Sequence, residues 1–236
     1  MGAFGESARL IGGIVLCYTL GSTILQKKRE KTLDHSLDYR SLVTITLSFW
    51  RKMMLELQSY EHHAFPAELN CQAVSFIRVV WPHIGGGMVR QMFATKLDTV
   101  HFVLVEGGLL HSYAAVVHFH LTHADEEYEA CGLTSVFSYP ASRNKGYGQQ
   151  VVDAATNSIR ASGADIGLLL TGSDLEHFYA QSGWETIMSA PLIGVSGETR
   201  EAFSAFRMML FLSERGHSGR SAFETQPLEV YREWSL

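Results

Sequence analysis

The chain has 236 residues, which is enough for one large or two small domains with a substantial core. Its hydrophobic content of 46%, charged content of 18% and net charge of −5 describe an ordinary globular protein and provide no basic footprint for nucleic acid. The cysteines, Cys17, Cys71 and Cys131, are odd in number and far apart, so they indicate neither a disulfide framework nor a zinc cluster and favour a reducing cytoplasm.

The first predicted element is an uncharged apolar run at residues 10–25, followed by the basic cluster at residues 27–29. A signal anchor has the same arrangement of charges. However, the run has only 16 residues, and its glycines and hydroxyl-bearing residues weaken insertion into a bilayer. We therefore expect a helix that docks on the protein or on the second subunit of a homodimer, and no membrane anchor.

A second helix is predicted at residues 42–60, where apolar residues recur at helical spacing. This stripe of Leu47, Trp50, Met54 and Leu57 is typical of a packing face. The sequence thus predicts two parts, a helical N-terminal extension at residues 1–60 and a separate domain at residues 61–236.

From Pro66 the pattern becomes that of a compact α/β domain. Pro66 suits the first turn of a helix, and Pro82 stops its extension. Gly107 and Gly108 indicate a two-residue hairpin turn. The other elements predicted here are a glycine-rich loop at residues 85–87, strands at 100–105, 109–121 and 130–138, and an acidic loop at 122–129.

Helices and strands continue to alternate in the second half of the domain. A helix from about Tyr147 to Ser162 is predicted to end at Gly163, because glycine suits the left-handed conformation past a helix end. Ser173 and Glu176 have the spacing of a capping box. The remaining predicted elements are a buried strand at 166–171, a short helix from Ser173 to Gly183 that buries Leu175 and Phe178, a strand from 184 to 188, a strand or helix at 203–212, and a turn at 216–219.

The sequence Arg143-Asn144-Lys145-Gly146-Tyr147-Gly148 follows an apolar strand and leads directly into a predicted helix. Free backbone N–H groups at a helix N-terminus bind phosphate, and glycines let the backbone approach the anion closely. The spacing matches neither G-x-x-x-x-G-K-[ST] nor G-x-G-x-x-G, but it fits R-x-x-G-x-G. The loop therefore predicts an anion site, and the alternative is an ordinary strand-to-helix turn in another α/β domain.

This loop, with Pro140 before it and the sequence F-Y-A-Q-S-G-W at residues 178–184 after it, resembles the GCN5-related N-acetyltransferase (GNAT) superfamily. The resemblance covers residues 65–190, about half of the chain. It implies an α/β fold with a mixed, mostly antiparallel sheet that is split beside the coenzyme A site and carries helices on both faces.

The resemblance also implies an active site that uses acetyl-CoA as co-substrate. The loop from Arg143 to Gly148 corresponds to the segment that holds the pyrophosphate. The thioester carbonyl is polarised by strand N–H groups, which correspond to Val136, Phe137 and Ser138, as in an oxyanion hole. Tyr179 corresponds to a tyrosine near the thioester sulfur, where a phenol can protonate the departing thiolate. The alternative for Tyr179 is that its ring simply packs under the sheet.

The general base is harder to assign. The strand at residues 114–117 and the loop at 140–148 resemble those of aminoglycoside 2′-N-acetyltransferases, in which a glutamate precedes the loop. Thr134 occupies the corresponding position and cannot act as a base. Water or one of His118, His120 and His123 could accept the proton instead. His118 and His120 share a strand face, which also permits a metal pair, but no third ligand has suitable spacing and no metal is predicted.

The predicted function is the transfer of acetyl from acetyl-CoA to a primary amine of a small molecule such as an aminoglycoside, a polyamine or an amino acid. The acidic residues Asp125, Glu126, Glu127 and Glu129 either attract such a cation or are merely solvated. The alternatives are acetylation of protein amines, a non-catalytic regulatory module that binds coenzyme A, and another kind of nucleotide-binding domain.

Overall fold

A computed structural model of the protein describes residues 54–81, 92–93, 97–187 and 190–231. All the described residues belong to one compact unit, which spans residues 52–236. The apolar run at residues 10–25, the glycine-rich loop at 85–87 and most of the helix predicted at 42–60 lie outside the described residues. Within those ranges, no helix has the length and apolar character needed to cross a membrane.

The described strands form two sheets. In chain order they are β1 (Glu56–Glu61), β2 (Asp98–Glu106), β3 (Leu109–His123), β4 (Glu126–Ser138), β5 (Ile166–Thr171), β6 (Glu185–Thr186), β7 (Leu192–Ser196), β8 (Thr199–Phe203), β9 (Phe206–Phe211) and β10 (Leu228–Tyr231). The strands of the larger sheet lie in the order β1-β2-β3-β4-β5-β9-β6, and those of the smaller sheet lie in the order β10-β7-β8. The pairing is antiparallel except between β4 and β5 and between β7 and β10.

Helices cover both faces of the large sheet, as the sequence predicts. They are α1 (Ala67–Val80), α2 (Tyr147–Ala161), α3 (Glu176–Ala180) and α4 (Glu214–Thr225). Alternate residues of the strands point to opposite faces, so apolar residues pack on both faces. Tyr113, Ala115 and Val117 of β3 pack with α1, whereas Ala114 and Val116 pack with α2. The predicted fold class, a mixed and mostly antiparallel α/β structure, is confirmed.

The large sheet is split between β4 and β5. These parallel strands pair only where Ala130–Gly132 meet Ile166–Leu168, and β9 continues the sheet beyond β5. The last residues of β4 therefore have no strand on that side among the described residues. The resulting gap positions the candidate site.

Two tight turns connect β2 to β3 and β3 to β4, and the sequence predicts only the one that contains glycines. Gly107 and Gly108 have φ of 61° and 82°, so the predicted two-residue turn between β2 and β3 is confirmed. The predicted acidic loop at residues 122–129 is wrong, because β3 continues to His123 and β4 begins at Glu126. Ala124 and Asp125 form this turn with positive φ, and neither residue type indicated that conformation.

The helix predicted at residues 42–60 is wrong at its end, because Glu56–Glu61 forms strand β1. This strand pairs with β2 along its whole length, and its exposure alternates with the period of two that a strand requires. Residues 56–60 thus belong to the large sheet. The division of the chain into an extension and a domain otherwise stays a prediction.

The turn predicted at residues 216–219 is also wrong, since these residues lie in α4. Ser213 caps this helix by accepting from the Gly216 amide at 3.1 Å. A Cβ at Gly216 would lie 2.1 Å from the Asp165 carbonyl oxygen, and one at Gly219 would lie 2.2 Å from the Tyr128 hydroxyl. The glycines therefore allow close packing of the helix and do not mark a turn.

A buried histidine lies on the α1 face of the sheet. His101 of β2 is fully buried and stacks on Phe65 with ring centroids 4.1 Å apart. Its Nδ1 lies 2.6 Å from the Tyr113 hydroxyl and its Nε2 lies 3.0 Å from His62 Nδ1. Burial, together with the charge of His62, lowers the pKa of His101 to about 3.

We expect this histidine to make the fold sensitive to mild acid. Because the pKa of His101 is lowered in the folded state, the unfolded chain binds more protons between about pH 6.5 and pH 3, and stability falls as the pH falls through that window. The loss between pH 7 and pH 5 should be about 2 kcal/mol. Urea unfolding at the two pH values measures this loss of stability. In His101→Phe the difference in stability between the two pH values should be smaller by about 2 kcal/mol. Equal pH dependence in both proteins would contradict the assignment.

Candidate active site

The loop between β4 and α2 has the backbone of an anion-binding turn. Asn144 and Gly146 both have positive φ, 59° and 74°, and Gly146 is the N-cap of α2. No side chain caps this helix, so the amides of its first turn are available to a ligand. Arg143 donates from Nε to the Ser138 carbonyl at 3.2 Å, which fixes the arginine beside the end of β4.

A cleft of about 500 Å³ opens beside this loop at the split in the sheet. It brings together the predicted residues of β4, the loop and α3, and among the predicted site residues only Lys145 is outside its lining. The Lys145 ammonium lies 5.8 Å from the Tyr147 ring centroid. The lining comprises Val136, Phe137, Ser138, Ser142, Arg143, Asn144, Gly146, Tyr147, Gly148, Gln149, Leu175, Phe178, Tyr179 and Gln181.

Gly148 keeps this cleft open at the start of α2. A Cβ on Gly148 would lie 3.3 Å from Ser138 Oγ and 3.5 Å from the Phe178 ring, and both neighbours line the cleft. The Ser138 hydroxyl is itself held by Ser112 Oγ at 2.8 Å. A side chain at position 148 would therefore occupy space between the helix and the end of β4.

An irregularity in β4 redirects the residues that enter the cleft. The register with β3 shifts between Tyr113 and Ala115, which pair with Phe137 and Thr134, so β4 contains one extra residue. Ser135 adopts a positive φ of 54° at this bulge. A bulge bends its strand and re-aims the residues that follow. Ser135 and Val136 therefore lie outside the regular register with β3, at the point where β5 has already separated.

Tyr179 lies at the inner wall of the cleft. Its side chain is 7% exposed and packs in the α2 core, with its ring centroid 4.9 Å from that of Phe178. Burial raises its pKa to about 12, and a hydrogen bond with the Thr171 side chain acts in the opposite direction. The phenol is therefore neutral and carries its proton throughout the neutral pH range. This geometry is compatible with both the proton donor and the packing hypothesis.

The histidines considered as bases do not line the cleft. His118 Nδ1 contacts Cys131 Sγ at 3.3 Å, and His120 pairs with Glu129 at 3.0 Å. His123 is buried and stacks on Phe223. His118 of β3 pairs in register with Cys131, which lies five residues before Val136 on β4. The described residues hold no cluster of three or more metal-ligating side chains.

The sequence missed several residues of the cleft. Leu175, predicted to be buried, is 41% exposed and lines the cleft. Ser173 makes no side-chain cap, so the predicted capping box is also wrong, and residues 173–175 form a 3₁₀ turn. Ser142 is buried behind the loop, where its Oγ lies 2.7 Å from His111 Nδ1. Of these residues, only Ser142 could have been found from the sequence, because it directly precedes Arg143 of the predicted loop.

These features fit the phosphates of a coenzyme. The left-handed residues Asn144 and Gly146 turn the loop, the first turn of α2 is uncapped, and Gly148 leaves space that a Cβ would fill. The cleft continues from this loop to Val136 and Tyr179, so a long ligand can reach both ends.

Residues 100–187 match the family model described as an acetyltransferase (GNAT) domain. No curated protein matches the sequence.

Several solved structures are similar to the chain at low identity. Escherichia coli ElaA is 16% identical with a TM-score of 0.49, covering 66% of this chain and 99% of that protein. Escherichia coli YhbS, a GNAT family N-acetyltransferase in complex with CoA, is 16% identical with a TM-score of 0.47, covering 77% and 93%. A GNAT family acetyltransferase from Brucella melitensis in complex with acetyl-CoA is 16% identical with a TM-score of 0.45, covering 68% and 90%. Residues 100–187 thus match a GNAT acetyltransferase domain, and this match supports an N-acetyltransferase that uses acetyl-CoA as its co-substrate.

Proposed function

We propose that this protein transfers the acetyl group of acetyl-CoA to the primary amine of a small molecule, by direct attack of the amine on the thioester. The observation that carries this proposal is the cleft itself, which joins an uncapped helix N-terminus to the split in the sheet. When bound, acetyl-CoA supplies an activated acyl group.

Each part of the cleft has a role in this proposal. The amides of Gly146, Tyr147 and Gly148, with Arg143, Asn144 and Lys145, bind the pyrophosphate. The backbone N–H groups of residues 136–138 stabilise the negative charge that develops on the carbonyl oxygen. Tyr179 donates the proton that the departing thiolate needs, which a phenol that is neutral at pH 7 can do.

A second cavity supports the choice of a small acceptor. It has a volume of about 470 Å³ and lies against the small sheet, where Glu201 is the one charged residue in its lining. It shares Leu170 and Val230 with a narrower space of about 150 Å³ that reaches Thr134 on β4. Thr134 lies two residues before Val136 on β4, so the smaller space lies close in sequence to the proposed thioester end of the cleft. The carboxylate of Glu201 in the lining of the larger cavity favours a cationic amine.

The dimensions of this second cavity favour a small molecule over a protein side chain presented on a large surface. Thr134 supplies no base, so water is the proposed acceptor of the ammonium proton. Aminoglycosides, polyamines and amino acids all remain candidates, and the resemblance to aminoglycoside 2′-N-acetyltransferases stays a prediction.

A panel of amines tests the proposal through release of the coenzyme A thiol. Small cationic amines should be acetylated faster than a lysine-containing peptide, and Glu201→Gln should raise KM for the best amine by about tenfold with little change in kcat. Glu198→Gln, a change of the same kind in the adjoining turn but outside the cavity lining, is the matched control. Preference for the peptide, with no effect of Glu201→Gln, would favour the alternative of protein acetylation.

A further inference from the structure

Ser142 connects the cofactor cleft to a histidine behind it. This residue ends the 3₁₀ turn Pro140–Ser142, is 4% exposed and lines the cleft directly before Arg143. Its Oγ lies 2.7 Å from Nδ1 of His111 on β3. Ser142 thus adjoins both the imidazole and the space that the proposed function assigns to the phosphates.

The other nitrogen of His111 faces a carboxylate. Its Nε2 is buried and has no hydrogen-bond partner, and Glu106 Oε2 of β2 lies 3.5 Å away. Tyr147 of α2 packs near the ring, with centroids 5.8 Å apart, and Lys145 approaches the same tyrosine. Among the described residues, the charged side chains on this side include Glu106, which is negative, and the loop residues Lys145 and Arg143, which are positive.

We propose that Glu106, His111 and Ser142 form a relay that couples binding of acetyl-CoA to the uptake of one proton by His111. The relay rests on the proposed function, because it needs a phosphate beside Ser142. Neither Glu106 nor His111 itself lines the cleft, so both act as positioning residues.

The relay has two states that differ by one proton. Without ligand, the Ser142 hydroxyl donates to Nδ1, and the single imidazole proton lies on Nε2 towards Glu106. With a phosphate oxygen beside Ser142, a proton from solvent adds to Nδ1, the new N–H donates to Ser142 Oγ, and the serine proton turns to the phosphate. Glu106 and the phosphate balance the added charge.

Thermodynamic linkage gives the direction of the effect. If binding increases the proton affinity of His111, then protonation of His111 increases the affinity for acetyl-CoA by the same factor. Acetyl-CoA should therefore bind about five- to tenfold more tightly at pH 6 than at pH 8 through this relay.

Calorimetry on the full chain tests the relay without measuring turnover. Acetyl-CoA is titrated at pH 6 and pH 8, and at pH 6.5 in two buffers of different ionisation enthalpy, which reports proton uptake. The variants are His111→Gln, which retains a hydrogen-bonding side chain but cannot titrate, and Ser142→Ala. His120→Gln makes the same change at an exposed histidine outside the cleft and is the matched control. The titration of the coenzyme phosphate is common to all variants.

The wild type and His120→Gln should take up a proton on binding and share the same pH dependence, whereas His111→Gln and Ser142→Ala should lose both. Wild-type pH dependence and proton uptake in His111→Gln would overturn the relay while leaving the proposed function intact. Failure of the wild type to bind acetyl-CoA at either pH would overturn the proposed function itself. Ser142→Ala keeps the test decisive if His111→Gln folds poorly.

Discussion

Replacing Tyr179 with phenylalanine is expected to lower kcat by about 100-fold, equivalent to about 2.7 kcal/mol of transition-state stabilisation. Phenylalanine keeps the ring that packs beside Phe178 and removes only the hydroxyl. The affinity for acetyl-CoA should change little, because the phosphate loop is untouched. Steady-state kinetics and calorimetry on one preparation measure both quantities.

The pH profile adds a second criterion for Tyr179. Because burial raises its pKa to about 12, the phenol stays protonated below about pH 11, and the wild type should show no alkaline loss of kcat from this group up to pH 10. Tyr147→Phe is the matched control, since Tyr147 also lines the cleft but has no assigned proton transfer. Loss of stability with normal kcat in Tyr179→Phe would favour the packing hypothesis.

Replacing Gly146 with valine is expected to reduce the affinity for acetyl-CoA by at least about 100-fold. Gly146 has φ of 74° at the start of α2, where the backbone must approach the phosphates, and a side chain there would project beside the cleft. A left-handed valine also costs about 1–2 kcal/mol of stability.

Gly163→Val is the control that separates the loss of affinity for acetyl-CoA from the loss of stability. Gly163 also has a positive φ, 81°, with nothing within 4 Å of an added Cβ, but it lies at the other end of α2. The two variants should lose similar stability, and only Gly146→Val should lose affinity by calorimetry. Undiminished binding in folded Gly146→Val would contradict the phosphate role of the loop.

The sequence predicted the central part of the fold well because its signals there are local. Paired glycines marked the turn at Gly107 and Gly108, and the apolar run at Ile166–Thr171 is β5 without change of bounds. The order of strand, loop and helix around Arg143 also followed directly from the sequence. In these segments propensity and tertiary structure agree.

The errors arise where distant parts of the chain decide the structure. Glu56–Glu61 is a strand because β2 pairs with it, although its apolar residues also suit a helix. Gly216 lies inside α4 because the Asp165 carbonyl leaves no room for a Cβ. His111 contacts the cleft residue Ser142, which is 31 positions away in the sequence, and no local pattern predicts such a contact.

Acetyl transfer itself is measured most directly by following both products of one reaction. The full chain is incubated with acetyl-CoA and the best amine of the panel, and free thiol and N-acetylated amine are quantified together, the latter by mass spectrometry. The proposed function predicts equal amounts of the two products, both depending on the amine and both about 100-fold slower with Tyr179→Phe. Binding of acetyl-CoA with no N-acetylated product from any amine, small molecule or peptide, would contradict it and favour a regulatory module that binds coenzyme A.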